Sequence, residues 1–272
     1  MVRIACIQPE VFQESNNCYS EIEKILNDFF SKHNSCDIIC LPERWVPLTN
    51  EKRVNIQKER GKNYQFIKKL SKEYSVGIIS GAIWEKRETS TKPRITSYFF
   101  NNSGEEIGRQ DKIHLYSYEI NNFEPGEDLF LFSFKNICFA ILICFDMAFF
   151  ETPRLAAENG ADILFSPTQI RAEGLENWEI YLKARALENR IPIAACNTFG
   201  KILKSEFPGQ SKIISFVKEF ISPSKLRIVE GPLDSSGFIF DEFDLLFPKK
   251  LRELRFKEII EKSEINIKKV GL

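Results

Sequence analysis

Apolar and polar positions alternate along the chain with two different periods, and each period predicts its own type of element. Short apolar stretches bounded by turn residues are typical of buried strands. These stretches are residues 2–8, 37–41, 76–84, 161–167 and 192–197. Other segments repeat apolar residues every three or four positions, which predicts amphipathic helices. They cover residues 19–33, 63–75, 151–159, 177–190 and a C-terminal segment from about 248.

Turn residues add two β-hairpins to this pattern. Asn-Ser-Gly at 102–104 and Lys-Asn at 135–136 divide residues 95–115 and 129–144 into two strands each. Further strands are predicted at 212–217, 225–231 and 236–244. Strands that alternate with helices and hairpins indicate an α/β fold, with a mixed sheet or two sheets covered by helices. No linker or repeat interrupts the pattern, so residues 1–272 are predicted to form a single domain.

The composition fits a protein with a large core and no strongly charged surface. Of the 272 residues, 43% are hydrophobic, and 38 basic residues balance 38 acidic ones. A formal charge of zero provides no broad basic surface, so we expect no nucleic-acid partner. No apolar run reaches the ~18 residues that a membrane span needs, so we expect no membrane partner. The interrupted apolar start predicts a strand instead of a signal peptide.

Seven cysteines, an odd number in a chain without export signals, predict free thiols and a cytoplasmic location. Cys36 and Cys40 lack a second cysteine or histidine pair nearby, so no zinc site is predicted. Phosphate-binding glycine motifs and the G-x-S-x-G motif of serine hydrolases are also missing. Five cysteines lie in predicted strands and are expected in the core: Cys6, Cys36, Cys40, Cys138 and Cys196.

Cys144 lies where an apolar strand ends and a helix is about to begin. A cysteine in such a run is most often a small buried hydrophobe. A catalytic thiol also requires a base for its proton, a positive group for the anion that forms, and an exposed position. The only imidazole bases in the chain are His33 and His114. A Cys144–His114 pair stays open, although a packed histidine with satisfied hydrogen bonds is the favoured interpretation.

Two charged residues stand at the ends of apolar segments. Glu43 follows a buried strand in LPERW, where a sheet opens to a cleft, and Lys112 lies in a predicted strand within GRQDKIHLY. Taken singly, a glutamate or a lysine in such a position is more commonly a solvated strand terminus. Neither residue alone indicates a function.

Taken together, these segments resemble the nitrilase superfamily of carbon–nitrogen hydrolases. The resemblance rests on LPERW, GRQDKIHLY and ICFDMAFFETPRLAAENGADILFSP, with support from EINNFEPGEDL, RALENRIPIAACNTFG and FPGQS. The segments occur in the order of the family and cover the chain to about residue 215. The C-terminal segment EFDLLFPKKLRELRF matches more loosely.

The resemblance implies a Glu-Lys-Cys triad with Glu43 as general base, Lys112 as electrostatic stabiliser and Cys144 as nucleophile. Glu119 matches a further glutamate that positions the substrate and the lysine in many members. The backbone N–H of Phe145 is expected to bind the oxyanion of the tetrahedral intermediate together with Lys112. The implied fold is a four-layer α-β-β-α sandwich, and the family uses neither a metal ion nor an organic cofactor.

The expected activity is that of a thiol hydrolase that cleaves an amide or carbamoyl C–N bond of a small molecule through a cysteine acyl-enzyme. Amides and carbamoyl compounds are commoner substrates in the superfamily than nitriles, and an ω-amide or N-carbamoyl compound would suit a small pocket. A nitrilase that converts a small nitrile to its acid is one alternative. A non-catalytic relative that only binds a small molecule or a partner is another, and no residue decides among the substrates.

Residues after Cys144 carry structural expectations. Asp146 is predicted to fix the turn that follows the nucleophile, and Glu151 and Arg154 are predicted to form an intrahelical ion pair. Phe150 stands where the family usually has proline, so the following helix is expected to start differently.

We expect a homodimer or a higher even oligomer, because the family pattern implies face-to-face pairing of two sandwiches. The predicted helix at 177–190 also carries two large aromatic residues, Trp178 and Tyr181. Trp178 itself is expected to pack inside the protein.

Overall fold

Six α-helices and seventeen β-strands form the described part of the chain, residues 1–260 and 264–269 of this computed structural model. The helices α1 to α6 span Ser15–Lys32, Lys62–Glu73, Glu119–Asn122, Glu151–Glu158, Leu175–Asn189 and Leu246–Phe256. The strands β1 to β17 span Val2–Gln8, Glu10–Val11, Ile38–Cys40, Gln57–Lys58, Gly77–Ile79, Ile83–Lys86, Arg94–Phe100, Glu106–Asp111, Leu131–Phe134, Ile137–Ile141, Ile163–Pro167, Ile193–Cys196, Phe199–Ile202, Ser205–Pro208, Lys212–Ile221, Ser224–Glu230 and Gly237–Phe243. None of the helices in the described ranges combines the length and the apolar character that a membrane crossing requires.

Most strands belong to two large sheets. The first orders β17-β1-β3-β5-β7-β6-β4, with β8 paired to β7, and the second orders β16-β15-β12-β11-β10-β9. The pairs β1–β3 and β10–β11 are parallel. The hairpins β7–β8, β9–β10 and β15–β16 are antiparallel. Both sheets are therefore mixed, as the alternation of helices and hairpins predicts.

Both predicted hairpins are confirmed, with strands shorter than predicted. In β9–β10, Phe134 pairs with Ile137 across the two-residue turn of Lys135 and Asn136. Both turn residues have positive φ angles, +47° and +63°. Such angles suit a two-residue turn because its twist then matches that of the flanking strands.

The two large sheets pack face to face and carry helices on their outer faces. In β1, Val2, Ile4 and Cys6 point into the cluster between the sheets, and Ala5 and Ile7 into the cluster beneath α1 and α2. The alternation of period two therefore buries both faces of this strand, which explains why it is apolar throughout. On the other side α4 and α5 cover the second sheet. The predicted four-layer α-β-β-α sandwich is confirmed.

The apolar segment 76–84, predicted as one strand, is two strands, β5 and β6. Gly81 separates them with a φ of +71°, and a Cβ added here would lie 2.1 Å from the carbonyl oxygen of Pro42. Only glycine permits such a close approach of two backbone segments. The break brings Ala82 beside Glu43, with which it forms an isolated β-bridge. Hydrophobic patterning misses this break because the residues on both sides of it are buried.

Helix boundaries also differ from the predicted ones. α1 begins at Ser15 instead of residue 19, and α6 begins at Leu246 instead of about residue 248. The hydrophobic pattern does not predict the third, small sheet, whose order is β14-β13-β2. Its strands have two to four residues each, which is too short for a periodic signal.

The cysteines expected in the core follow the prediction in three cases of five. Cys6, Cys40 and Cys196 lie in strands and are fully buried. Cys36 is buried but lies before β3, because the pairing of β3 with β1 and β5 starts only at residue 38. Cys138 lies in β10 but is only half-buried.

Candidate active site

Glu43 is held between the two large sheets just after β3 ends. Its backbone N–H donates a hydrogen bond to the carbonyl oxygen of Thr168 (3.0 Å), and its backbone bridges to Ala82. Thr168 follows β11 of the second sheet, whereas Ala82 precedes β6 of the first. Contacts from both sheets therefore fix the position of the glutamate, whose side chain is buried.

Lys112 directly follows β8 and does not lie within a strand as predicted. Its N–H still donates a hydrogen bond to the carbonyl oxygen of Ile95 (2.8 Å), so the prediction misses by one residue. On the other side, the N–H of Gly126 donates to the carbonyl oxygen of Lys112 (2.8 Å). The backbone of the lysine is thus held from two sides.

The ammonium of Lys112 lies between two carboxylates. Its Nζ is 2.9 Å from Glu43 Oε1 and 2.9 Å from Glu119 Oε2. The N–H of Tyr116 donates a hydrogen bond to Glu119 Oε2 (2.8 Å), which orients the second carboxylate. Charged side chains are almost never this deeply buried unless they are paired. The three groups therefore form one buried unit, as the resemblance implies for Glu43, Lys112 and Glu119.

Burial and neighbouring charges shift the protonation of this unit. Burial lowers the pKa of Lys112, but the negative charges of Glu43, of a Cys144 thiolate and of Glu119 outweigh it and raise the pKa well above its ordinary value. Burial, and after it the charge of Glu43, raises the pKa of Glu119, against the opposing effect of Lys112. Lys112 is therefore a cation at neutral pH, and its single positive charge is shared by two carboxylates.

Cys144 lies in a sharp turn between the end of β10 and the start of α4. It has a φ of +48° and opens a short 3-10 segment, Cys144–Ala148. A positive φ is uncommon for a residue that carries a Cβ, and such strain is typically about 1–3 kcal/mol. Asp146 supports the turn, because its carboxylate accepts hydrogen bonds from the N–H of Ile143 (2.9 Å) and of His114 (2.7 Å). This agrees with the structural role predicted for Asp146.

Cys144 as a residue is half-buried, and its thiol lies among Glu43, Lys112 and the backbone of Gln169. Burial raises the pKa of the thiol and the charge of Glu43 raises it further, whereas Lys112 and the Gln169 backbone lower it. The net result is a pKa well above the ordinary value. The thiol therefore carries its proton at neutral pH until a base removes it.

His114 is engaged away from the thiol. Its Nδ1 lies 3.0 Å from Asp146 Oδ1, and its ring stacks on Phe149 with a centroid distance of 4.1 Å. These contacts support the favoured interpretation of a packed histidine, and Glu43 supplies a carboxylate beside Cys144.

The helix α4, which follows Cys144, contradicts the expected ion pair and shows how the helix begins after Phe150. The predicted Glu151–Arg154 pair is wrong, because Arg154 Nε lies 2.6 Å from Glu158 Oε1, one helical turn further on. Phe150 precedes α4 and its carbonyl oxygen accepts a hydrogen bond from the N–H of Arg154 (3.1 Å). Pro153 falls within the first turn, where an N–H has no intrahelical partner to lose.

Two residues that the sequence pattern does not single out, Arg44 and Gln169, also border the site. Arg44 follows Glu43 directly, and its guanidinium carbon lies 4.0 Å from the centroid of the Trp84 ring. Gln169 Nε2 donates a hydrogen bond to the carbonyl oxygen of Arg44 (3.4 Å). The LPERW motif contains Arg44 and so offered a signal for it, whereas nothing near Gln169 in the sequence marks that residue.

Comparison with known proteins shows to which family the chain belongs. The sequence model of the family described as carbon-nitrogen hydrolase matches residues 3–224. The chain belongs to the carbon–nitrogen hydrolase family. A protein of Schizosaccharomyces pombe named as a probable nitrilase is 30% identical to this hydrolase over 218 residues, which cover 78% of this chain and 79% of the relative.

Two further similarities extend over nearly the whole hydrolase. The 2-oxoglutaramate amidase of Bacillus subtilis is 29% identical over 257 residues, covering 92% of this chain and 93% of the relative. The crystal structure of Saccharomyces cerevisiae Nit3, a member of branch 10 of the nitrilase superfamily, matches with a TM-score of 0.80 and 19% identity, covering 97% of each chain. At that identity the structural match shows the fold. The predicted family, the sandwich fold and the activity as a hydrolase of non-peptide C–N bonds are confirmed.

Proposed function

We propose that the chain hydrolyses an amide or carbamoyl bond of a small molecule through a thioester on Cys144, with Glu43 as general base and Lys112 as the stabilising cation. One observation carries the proposal: three distant segments of the chain bring a thiol, a carboxylate and an ammonium together, with Lys112 Nζ 2.9 Å from Glu43 Oε1. A nucleophile, a base and a cation in mutual proximity are the groups that acyl transfer requires.

In the first half of the reaction, the sulfur of Cys144 attacks the amide carbonyl carbon while Glu43 takes the thiol proton. The raised pKa of the thiol supports the need for this base. The carbonyl oxygen becomes an oxyanion, which the Lys112 ammonium and the backbone N–H of Phe145 bind. One such donor typically contributes about 3–4 kcal/mol to the transition state. Glu43 then passes the proton to the leaving nitrogen, the C–N bond breaks, and ammonia or an amine departs.

In the second half, water attacks the thioester while Glu43 takes a proton from it. The C–S bond breaks, the acid leaves, and the proton returns to the sulfur of Cys144. Glu43 thus acts as base and acid in turn. Lys112 keeps its positive charge throughout this cycle. The oxyanion is therefore stabilised by that charge and does not need to be protonated.

We assign Glu119 a positioning role. When Glu43 carries the transferred proton, the charge that holds Lys112 on that side is lost. Glu119 still binds Lys112, and its own position is maintained by the N–H of Tyr116 (2.8 Å). The ammonium therefore keeps its place throughout the cycle.

The substrate class that we infer is an amide or a carbamoyl compound. The similarity to the amidase of Bacillus subtilis supports an amide, and it covers 92% of this chain. The name of the Schizosaccharomyces pombe relative favours a nitrile as the second candidate. Both substrates would form a covalent adduct with Cys144 and would release an acid and ammonia, so the compound that is consumed, and not the product, distinguishes them.

Ammonia release across a panel of amides, nitriles and ureido acids tests the proposal. Wild-type protein should release ammonia from at least one amide or ureido compound, and a slowly hydrolysed amide should leave an acyl mass on the peptide that contains Cys144. Cys144→Ala should abolish both. Cys138→Ala is the matched control, because Cys138 is the other half-buried cysteine.

Two outcomes would overturn the proposal. Turnover by Cys144→Ala on any substrate of the wild type would exclude the thioester mechanism. A silent panel without a trapped adduct would favour the non-catalytic relative that binds small molecules.

We further propose a homodimer in the cytoplasm. Helix α5 exposes Ile180 and Tyr181, which supports an interface there, whereas Trp178 packs in the core and is not available for one. Free thiols at all seven cysteines support a reducing compartment. Light scattering that gives a single 31.6 kDa species at micromolar concentration would contradict the dimer.

A further inference from the structure

Asn197 is a fully buried polar residue directly after β12, and its side-chain amide binds the backbone of two other segments. The N–H of Ile170 donates a hydrogen bond to Asn197 Oδ1 (2.8 Å). In return, Asn197 Nδ2 donates to the carbonyl oxygens of Gly209 (2.7 Å) and Ile170 (3.5 Å). Both ends of the amide are therefore satisfied, and the N–H of Ile170 fixes which end carries the oxygen.

The amide continues the pairing of β11 with β12 beyond the point where the two main chains separate. The last paired residues are Pro167 and Cys196. Thr168 still binds the carbonyl oxygen of Cys196, through its N–H (2.8 Å) and its hydroxyl (2.9 Å). Two residues further along, the side chain of Asn197 bridges the gap to Ile170. The chain is thus held on both sides of the residue that lies between Thr168 and Ile170.

The segment held in this way, residues 168–170, borders the candidate active site at two points. The carbonyl oxygen of Thr168 accepts a hydrogen bond from the N–H of Glu43 (3.0 Å). A backbone hydrogen bond from Gln169 reaches the sulfur of Cys144 and lowers the pKa of the thiol, because it favours the thiolate. Displacement of the segment would therefore affect the proposed base and the proposed nucleophile together.

The backbone of Asn197 is itself anchored to both large sheets. Its N–H donates a hydrogen bond to Ser211 Oγ (2.9 Å), and the N–H of Ser211 donates to Gln8 Oε1 (2.8 Å). Gln8 is the last residue of β1 in the first sheet, whereas Asn197 follows β12 of the second. All three side chains are buried. The amide of Asn197 therefore has a fixed position from which it can hold a neighbouring segment.

We propose that Asn197 is a positioning residue of the proposed reaction, whose amide keeps Gln169 against the sulfur of Cys144 and Thr168 against Glu43. The inference rests on the proposed function and adds to it a residue that acts through its neighbours. Loss of the amide leaves the thiol, the carboxylate and the ammonium in the chain, but it releases the segment that aligns them. The chemical steps should then slow, whereas substrate binding should change little.

Asn197→Ala tests the proposal, because it removes the hydrogen bonds to Ile170 and Gly209. With an amide that the wild type hydrolyses, kcat should fall by about 10- to 100-fold, as the loss of a hydrogen bond to a charged group predicts. KM should change little, since the loss concerns the transition state. A slowly hydrolysed amide should still acylate Cys144 in every chain, which shows that the lower kcat does not come from a small folded fraction.

A second readout needs no substrate. The hydrogen bond from Gln169 favours the thiolate, so its loss should slow the alkylation of Cys144 by iodoacetamide about tenfold at a given pH. Cys138, which is also half-buried and lies near the opposite end of β10, is the reference within the same molecule. General loosening of the fold would accelerate the alkylation of both thiols. Loss of positioning instead slows Cys144 and leaves Cys138 unchanged.

Asn63→Ala is the matched control for the loss of a buried asparagine. Asn63 lies in α2 and its Oδ1 accepts a hydrogen bond from the hydroxyl of Tyr19. The substitution should lower the midpoint of thermal unfolding, as Asn197→Ala does, because both remove a buried hydrogen bond. It should leave kcat and the alkylation rate of Cys144 at their wild-type values.

Asn197→Asp is the conservative variant, and it provides the comparison if Asn197→Ala does not fold. It keeps the shape and the acceptor for Ile170, and burial favours the protonated carboxyl group, which can still donate to Gly209. It should therefore retain more of the wild-type kcat than Asn197→Ala. As the pH rises and the carboxyl group ionises, that donor is lost, so kcat relative to the wild type at the same pH should fall.

The outcomes separate the role of Asn197 from the proposed function. A wild-type kcat in Asn197→Ala, or alkylation of Cys144 that is not slower, would overturn the positioning role while the proposed hydrolysis stands. A ratio of kcat between Asn197→Asp and the wild type that stays at one over the whole pH range would also overturn it. If the wild type hydrolyses no amide, the proposed function fails, and slower alkylation of Cys144 alone would still support the contact that Asn197 maintains.

Discussion

Lys112 and Lys212 are both fully buried lysines with two glutamate partners, yet their surroundings differ. Lys212 Nζ lies 2.8 Å from Glu230 Oε1 and 3.4 Å from Glu179 Oε2. The side chains of these partners are 49% and 30% exposed, so water reaches both carboxylates. Solvent screening makes such a cluster an ordinary ion pair near the surface.

The partners of Lys112 are shielded from water. The side chains of Glu43 and Glu119 are 6% and 5% exposed, and the thiol of Cys144 lies beside them. Charges in such a place interact strongly and shift the pKa values of Lys112, Glu119 and the thiol. Burial of the carboxylates, more than the types of residue, therefore distinguishes the candidate active site from a structural ion pair.

The largest expected effect separates Glu43 from Glu230. Glu43→Gln should lower kcat by about 10²- to 10⁴-fold, because it removes the proposed general base. Glu230→Gln should leave kcat near the wild-type value, since its carboxylate only pairs with Lys212. Steady-state ammonia release measures kcat of both variants. Equal effects of the two substitutions would contradict the distinction between the Lys112 and Lys212 clusters.

The two lysines should differ in the same way. Lys112→Arg keeps a positive charge but replaces a compact ammonium by a planar group, which misplaces the charge relative to the oxyanion. We expect kcat to fall by about 10²- to 10³-fold while the protein still folds. Lys212→Arg, the matched variant, should retain turnover. Near-normal turnover of Lys112→Arg would remove the lysine from the proposed mechanism.

Stability should also distinguish the clusters. Lys112→Met leaves two buried carboxylates without a counter-charge and should lower the free energy of unfolding by about 3–5 kcal/mol at neutral pH. Lys212→Met should cost less, because water reaches its partners. Urea unfolding of both variants measures the difference, and equal losses would contradict the role given to burial.

The pH dependence of that loss has a definite sign. Burial and Glu43 already raise the pKa of Glu119, and removal of Lys112 raises it further. A carboxyl group with a raised folded-state pKa stabilises the fold below its unfolded value of about 4.3, and this contribution is lost as the pH rises through the folded value. The loss in free energy of unfolding that Lys112→Met causes should therefore become smaller as the pH falls from about 7 to about 5. A deficit that is constant over this range would contradict the raised pKa.

The smallest effect concerns the thiol. The charge of Glu43 raises the pKa of Cys144, second only to burial, so Glu43→Gln should lower that pKa. Alkylation by iodoacetamide at neutral pH should accelerate, with about tenfold more thiolate for each unit by which the pKa falls. Turnover should fall in the same variant, because the proposed base is lost. Faster alkylation together with slower turnover would distinguish the role of Glu43 as a base from the effect of its charge on the thiol. Glu230→Gln should leave the alkylation rate unchanged.

Much of the fold could be predicted because it depends on local signals. The helix at Ser15–Lys32 and the hairpin turn at 135–136 follow from periodicity and turn chemistry within a few residues. The wrong pair of Glu151 with Arg154 shows the limit of such reasoning, because spacings of three and four both permit contact and the structure selects Glu158.

The sequence by itself determined the layer pattern, the family resemblance and the residues Glu43, Lys112, Glu119 and Cys144 as candidates. Only the tertiary structure decided that they meet. Lys112 and Glu43 are 69 residues apart, and their contact depends on the pairing of several strands. The break at Gly81 and the stacking of Arg44 on Trp84 arise in the same way, from the approach of segments distant in the chain. Periodicity reports which face of an element is buried, whereas contacts between elements depend on packing that no local pattern encodes.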